Sequence, residues 1–157
     1  NTILEDLIMK ITLSIILLVV LLLCAYFVFL SVTDEVPEAR LVNGQLRPCP
    51  DTPNCVSSET SGEKYIEPIA TTSGTSLDDL WENVIETIKQ QGGHIESQDE
   101  TYVWATFQSK LFRFTDDVEI RLDDDKGVVQ IRSGSRSGKS DLGVNRKRVE
   151  AIRAAVK

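Results

Sequence analysis

The stretch Phe112–Arg132, FRFTDDVEIRLDDDKGVVQIR, decides the fold. In its second half Val118, Ile120 and Leu122 fall on one side of an extended chain and Asp117, Glu119 and Arg121 on the other. That two-residue period is the mark of a half-buried strand. Asp124-Asp125-Lys126-Gly127 supplies turn chemistry, and Val128–Arg132 resumes a β-branched run, so the stretch reads as a hairpin. Working backwards, Tyr102–Ser109 and His94–Ser97 read as two more strands joined by a polar turn at Gln98–Glu100, and Tyr65–Ala70 as a short first strand. A helix lies between them. Ser76 or Thr75 can cap it, Asp78 and Asp79 suit the positive end of its dipole, and Gly92-Gly93 stops it. Leu77, Leu80, Trp81, Val84, Ile85 and Ile88 share one face of that helix. Working forwards, a Gly/Ser loop leads to a last helix capped by Ser140 or Asp141, with Val149, Ile152 and Val156 as its buried stripe. The order β-α-β-β-β-β-α implies an α+β domain, an antiparallel sheet covered by two helices.

Upstream lies a different kind of sequence. Ile11–Val32, ITLSIILLVVLLLCAYFVFLSV, carries no charge, and as a helix it is about 33 Å long, enough to cross a bilayer. It exceeds the apolar core of a secretory signal and continues through Tyr26, Phe27 and Phe29 where small residues would precede a cleavage site. Leu23 likewise argues against a lipoprotein signal ending at Cys24. The run is therefore expected to stay as a single-pass anchor. Lys10 is the only cation near its ends before Arg40, which places the N-terminus in the cytoplasm and the domain on the extracytoplasmic, periplasmic or lumenal, side. Four zones result: a lead-in over 1–10, the membrane helix over 11–32, a Pro-rich linker or loop over 33–63, and the α+β domain over 64–157. Four of the five prolines, at 37, 48, 50 and 53, sit in the third zone and bar it from helix.

Charge is unevenly distributed. Arg132 to Lys157 holds eight Lys/Arg against Asp141 and Glu150, a net +6, so the total of −7 leaves −13 on residues 1–131. An acidic body repels a phosphate backbone, and nucleic acid is excluded as a partner.

Three blocks are specific together: Arg47-Pro48-Cys49-Pro50-Asp51-Thr52-Pro53-Asn54-Cys55-Val56-Ser57-Ser58, Phe114 to Arg121, and Ile131 to Arg146. In that order and spacing the chain resembles the bacterial and plastid family called domain of unknown function 1499. The resemblance covers nearly everything after the membrane helix. It implies an envelope or thylakoid-type setting and brings no accepted reaction, cofactor or catalytic residue with it.

Within these blocks the chemistry-bearing groups are few. Gly134-Ser-Arg-Ser-Gly138-Lys139-Ser140 has three residues between its glycines where a phosphate-binding P-loop needs four. A looser anion or partner surface remains, made of Arg132, Ser133, Ser135, Arg136, Lys139, Asn145 and Arg146 at the start of the last helix. The competing and favoured reading pairs Arg132 and Arg136 with Asp117 and Glu119 of the neighbouring strand. Cys49 and Cys55, six positions apart beyond the anchor, are expected to form a disulfide. A zinc site would have to recruit the distant His94, and no metal or cofactor is expected. His94 is the sole histidine and reads as a surface or turn residue; without a G-x-S-x-G elbow no serine hydrolase can be assembled around it. The sequence points to a non-catalytic accessory subunit that contacts a larger membrane or envelope protein complex. The alternative is a module binding a lipid headgroup or another anion at the membrane surface; an enzyme is the least supported class.

Overall fold

The computed structural model describes residues 2–32, 36–37, 41–72 and 74–156. A helix α1 runs over Thr2–Val32, unbroken. No glycine or proline interrupts it, Lys10 pairs with Asp6 at 2.7 Å, and the Thr12 hydroxyl donates to the Ile8 carbonyl. Residues 2–10 of the lead-in are helical and continuous with the membrane-length run. Thr2–Ser31 is long and apolar enough to cross a membrane, and its apolar window is not buried against the rest of the chain.

Strands β1 (Leu41–Val42) and β2 (Gln45–Leu46) form a small hairpin around Asn43-Gly44, both in the left-handed region. Then come β3 (Cys55–Ser57), a 3-10 turn at Gly62–Lys64, β4 (Ile69–Ala70), α2 (Leu77–Gln90), β5 (His94–Gln98), β6 (Tyr102–Gln108), β7 (Thr115–Asp123), β8 (Val128–Ser135) and α3 (Val144–Ala155). Among the described residues the main sheet has six strands, ordered β3-β8-β7-β6-β5, with β4 also on β8, all antiparallel. The α+β class and the two covering helices are as expected.

Several boundaries differ from the sequence reading. Only Ile69–Ala70 of the Tyr65–Ala70 segment is strand, because Pro68 has no amide to donate to a ladder. Residues 112–114 lie outside β7, whereas β8 runs on through Ser135. The 33–63 zone is not simply a linker: β3 is hydrogen-bonded to β8 with Cys55 opposite Gly134, so the domain reaches back past residue 64.

One sheet face carries the apolar core. Leu80, Trp81, Val84, Ile85 and Ile88 of α2 and Val149 and Ile152 of α3 pack on Val103, Ala105, Val118, Ile120, Val129 and Ile131. Helix α2 begins as its sequence requires, the Ser76 hydroxyl accepting from the Asp79 amide at 3.0 Å. Past its end at Gln90 the chain turns at Gly92, with φ of 92°, and Gly93 follows because a Cβ there would lie 2.7 Å from Ile88 and 2.9 Å from the Phe107 ring. His94 is exposed at the start of the edge strand β5.

Candidate functional site

The opposite sheet face is polar, and it is not solvated. Register puts Asp117, Glu119, Arg121 and Asp123 of β7 beside Gly134, Arg132, Gln130 and Val128 of β8, with Tyr102, Trp104 and Thr106 on the other flank. Asp117, Glu119, Asp123, Gln130 and Arg132 are all buried. The cover is the chain between β2 and β3, held down from both ends. Leu46 donates its amide to Glu59 at 2.6 Å, and Arg121 reaches the same carboxylate with Nε at 3.0 Å.

Glu119, with no exposed surface, is the hub of this face. Its Oε2 accepts from the Tyr102 hydroxyl at 2.9 Å, and its Oε1 from Arg132 Nη1 at 3.1 Å and Arg47 Nε at 2.8 Å; Arg47 Nη2 bonds it as well. Asp117 accepts from Trp104 Nε1 and from Arg136 Nη2, each at 2.8 Å, while Arg47 Nη2 stands 3.7 Å away. Arg136 also lies 5.7 Å from the centre of the Trp104 ring. Buried carboxylates thus have charge-assisted partners, the arrangement that makes burial tolerable.

The two arginines on Glu119 differ. Burial works against the Arg47 charge, but the hydrogen bond and charge of Glu119 outweigh it and hold the guanidinium above the ordinary arginine range. For Arg132 burial wins: its pKa is pushed down despite Glu119, with the neighbouring Arg47 charge pressing the same way. Arg132 Nε is buried and has no hydrogen-bond partner among the described residues. Both arginines border an open cleft of about 750 Å³ whose walls include Val36, Pro37, Pro48, Asp117, Gly134 and Arg136.

The surface anticipated from Arg132, Ser133, Ser135, Arg136, Lys139, Asn145 and Arg146 is not one surface. Alternation along β8 sends Arg132 to the polar face and Ser133 to the helix face. There Ser133 donates to Asn145 Oδ1 at 2.5 Å. Asn145 is fully buried and donates to the Asn54 carbonyl at 3.1 Å and the Ser135 hydroxyl at 2.9 Å. Arg146 donates to the Tyr65 carbonyl at 3.0 Å and that of Glu63 at 2.6 Å. Lys139 is exposed. The start of α3 is not open to an outside anion, because Asp141 already accepts from the amides of Gly143 at 3.0 Å and Asn145 at 2.8 Å. Of the seven, Arg132, Ser135 and Arg136 border the cleft.

Sequence reasoning missed Arg47, which joins the polar face from 72 positions away, and Glu59, which holds Arg121. On the helix face it also missed Arg148, which bonds Asp116 at 2.6 Å and lies 4.7 Å from the centre of the Phe107 ring.

Burial raises the Asp141 pKa, but the amides of Asn145 and Gly143 outweigh it and leave it below the usual carboxylate value. A carboxyl with a depressed folded pKa stabilises above its unfolded pKa and loses that contribution as pH falls through the folded one. Asp141→Asn is therefore expected to melt below wild type at pH 7, with the gap closing below about pH 4. A melting series across pH 2–7 checks it; a gap independent of pH would remove the charge from the account.

Cys49 and Cys55 are bonded to each other, with Cα atoms 5.7 Å apart, and the bond ties the cover to β3. Closing so short a loop restricts the unfolded chain by about 2 kcal/mol. Replacing both cysteines by serine is expected to lower stability by about that amount; an unchanged unfolding midpoint would show that the prolines alone hold the arc. Among the described residues no cluster of three or more His, Cys, Asp or Glu side chains is placed to hold a metal.

Fold and site together define a small α+β domain with a charge-lined cleft, joined to a helix of membrane-spanning length. The chain belongs to the family described as Protein of unknown function (DUF1499), whose model matches residues 45–156, from β2 through α3. No curated protein matches the chain.

Proposed function

We propose that the protein is a non-catalytic, single-pass membrane accessory subunit whose extracytoplasmic domain contacts a larger membrane or envelope complex. The observation that supports it is the seat of the domain on its own helix. The Phe27 ring of α1, five residues short of the helix end, lies 5.0 Å from Phe112 and 6.4 Å from Phe114, centre to centre. Those two rings belong to the β6–β7 loop, so the domain meets the helix within its apolar run instead of hanging from a free tether. Leu111 in that loop and Leu142 in the β8–α3 loop are 77% and 87% exposed, with Lys110, Arg113 and Lys139 exposed beside them. Apolar tips flanked by cations suit the bilayer interface.

A domain seated this way presents its remaining faces at a fixed height above the membrane. Thr12, Ser14 and Cys24 are exposed along α1 and open to a partner helix. The Cys49–Cys55 bond fits an oxidising compartment, which agrees with an N-terminus in the cytoplasm. The carboxylates of the polar face are engaged by arginine, tyrosine or tryptophan, a use that serves binding and architecture better than acid–base chemistry. Extraction in mild detergent followed by native electrophoresis and cross-linking tests the proposal. The expected result is co-migration with a larger complex at fixed stoichiometry, and a monomer that cross-links to nothing overturns it.

A further inference from the structure

We propose that the cleft between the Pro-rich arc and the polar sheet face is a binding site for a phosphate oxyanion, held by Arg47, Arg132 and Arg136. Three guanidinium groups meet there, and the carboxylates paired with them are two, Asp117 and Glu119. Among the described residues these three arginines carry one charge more than the carboxylates paired with them, beside a cleft that opens to solvent. The under-bonded member is Arg132, whose side chain is 8% exposed and whose Nε finds no acceptor among the described residues. A buried donor without an acceptor is costly, and an oxyanion entering the cleft is the direct remedy.

The geometry favours phosphate. The three arginines come from the arc after β2, from within β8 and from just beyond its end, so their donors approach from different directions. A tetrahedral oxyanion can accept from all of them, whereas a planar carboxylate matches one fork. Gly134 keeps the cleft floor open, since a Cβ there would lie 3.1 Å from Cys55 Sγ and 3.3 Å from Arg132 Nη1. Height above the membrane narrows the source. Val36 and Pro37 line the cleft, and Val36 is four residues past the end of α1. Four residues span at most about 14 Å, which keeps the cleft near the phospholipid headgroup layer. Only this choice of source rests on the membrane-anchored reading; the site itself does not.

The test uses the full chain and the variant Val36→Glu, which sets a carboxylate at the cleft edge on a residue that is 60% exposed and is therefore compatible with folding. Native mass spectrometry is run on protein released from nanodiscs of phosphatidylcholine with phosphatidylglycerol. In parallel, melting in neutral detergent is followed with inorganic phosphate against chloride at matched ionic strength. Retention of phosphatidylglycerol by wild type, falling about tenfold or more in Val36→Glu, supports a lipid headgroup as the ligand. A melting shift with inorganic phosphate in wild type alone, without retained lipid, supports a free phosphate compound. Equal lipid retention by both proteins, with no phosphate-specific shift, overturns the site. So does a wild type that responds to neither probe, which would mean that the surplus charge is neutralised within the chain, where Glu35 and Glu38 flank Val36-Pro37 in sequence. A chain that binds phosphate yet co-migrates with no complex would refute the accessory role and leave this site standing.

Discussion

Glu119→Ala is expected to destabilise the domain by about 3–5 kcal/mol, the cost of removing one partner of a buried ion pair. The reason lies in what remains. Arg132 and Arg47 would face each other across an empty position, and the hydrogen bond from the Tyr102 hydroxyl to Glu119 would be lost. Arg132 is already the strained member of the set, with burial pushing its pKa down and Nε unpartnered. Glu119→Gln keeps the shape and one acceptor while removing the charge, so it should fall between alanine and wild type. A cycle with Arg132→Gln isolates the pair: each single change should cost more alone than in the presence of the other. Unfolding followed by the fluorescence of Trp81 and Trp104, both in the domain, reads the effect. An alanine variant within about 1 kcal/mol of wild type would mean that water reaches the hub and the face is not truly buried.

The contrast between the two sheet faces explains how far the sequence could be read. Val118, Ile120 and Leu122 announced the core face correctly because burial of alternate apolar residues is a local pattern. The hairpin also followed locally: a turn at Asp124–Gly127 sets Glu119 opposite Arg132, and the pairing of arginines with β7 carboxylates rests on that register. What lies above the polar face had no local signature. Alternating charges usually mean solvent, and here they mean a cover returning from residues 45–51, more than sixty positions upstream. Arg47 was in view only as part of the Pro-rich block. The Asn43-Gly44 dipeptide, a strong hairpin signal, marked ordered structure ahead of the prolines and was available to be read. Cys55–Ser57 was hidden as a strand by the prolines before it, since β3 is three residues long and takes its order from β8. The scattering of the seven-residue surface has the same origin: Arg132 and Ser133 are adjacent in sequence and on opposite sides of a sheet.

Asn145→Ala is the second large effect expected, about 3 kcal/mol, because several buried or half-buried groups each lose a hydrogen bond at once. The Asn145 side chain ties together three parts of the chain. Its amide nitrogen donates to the Asn54 carbonyl ahead of β3, to Ser135 at the end of β8 and to Asp141 before α3. Its carbonyl accepts from Ser133 and from Arg148 at 2.7 Å. Each of these groups is buried or half-buried, so water replaces the lost bonds poorly. Asn145→Asp sharpens the test, since it preserves the shape and reverses the hydrogen bonding on one side. A carboxylate oxygen would then face the Asn54 carbonyl and the Asp141 carboxylate, where an amide nitrogen now donates. At pH 7 the aspartate variant should be less stable than the alanine variant, despite its closer likeness to asparagine. Acidification from pH 7 toward about pH 4 should narrow that difference as the new carboxyl takes up a proton and becomes a donor. If Asn145→Asp instead matched wild type at pH 7, Arg148 alone would be neutralising it. The residue would then be a spacer in the core rather than the tie between the Pro-rich arc, the sheet and the last helix.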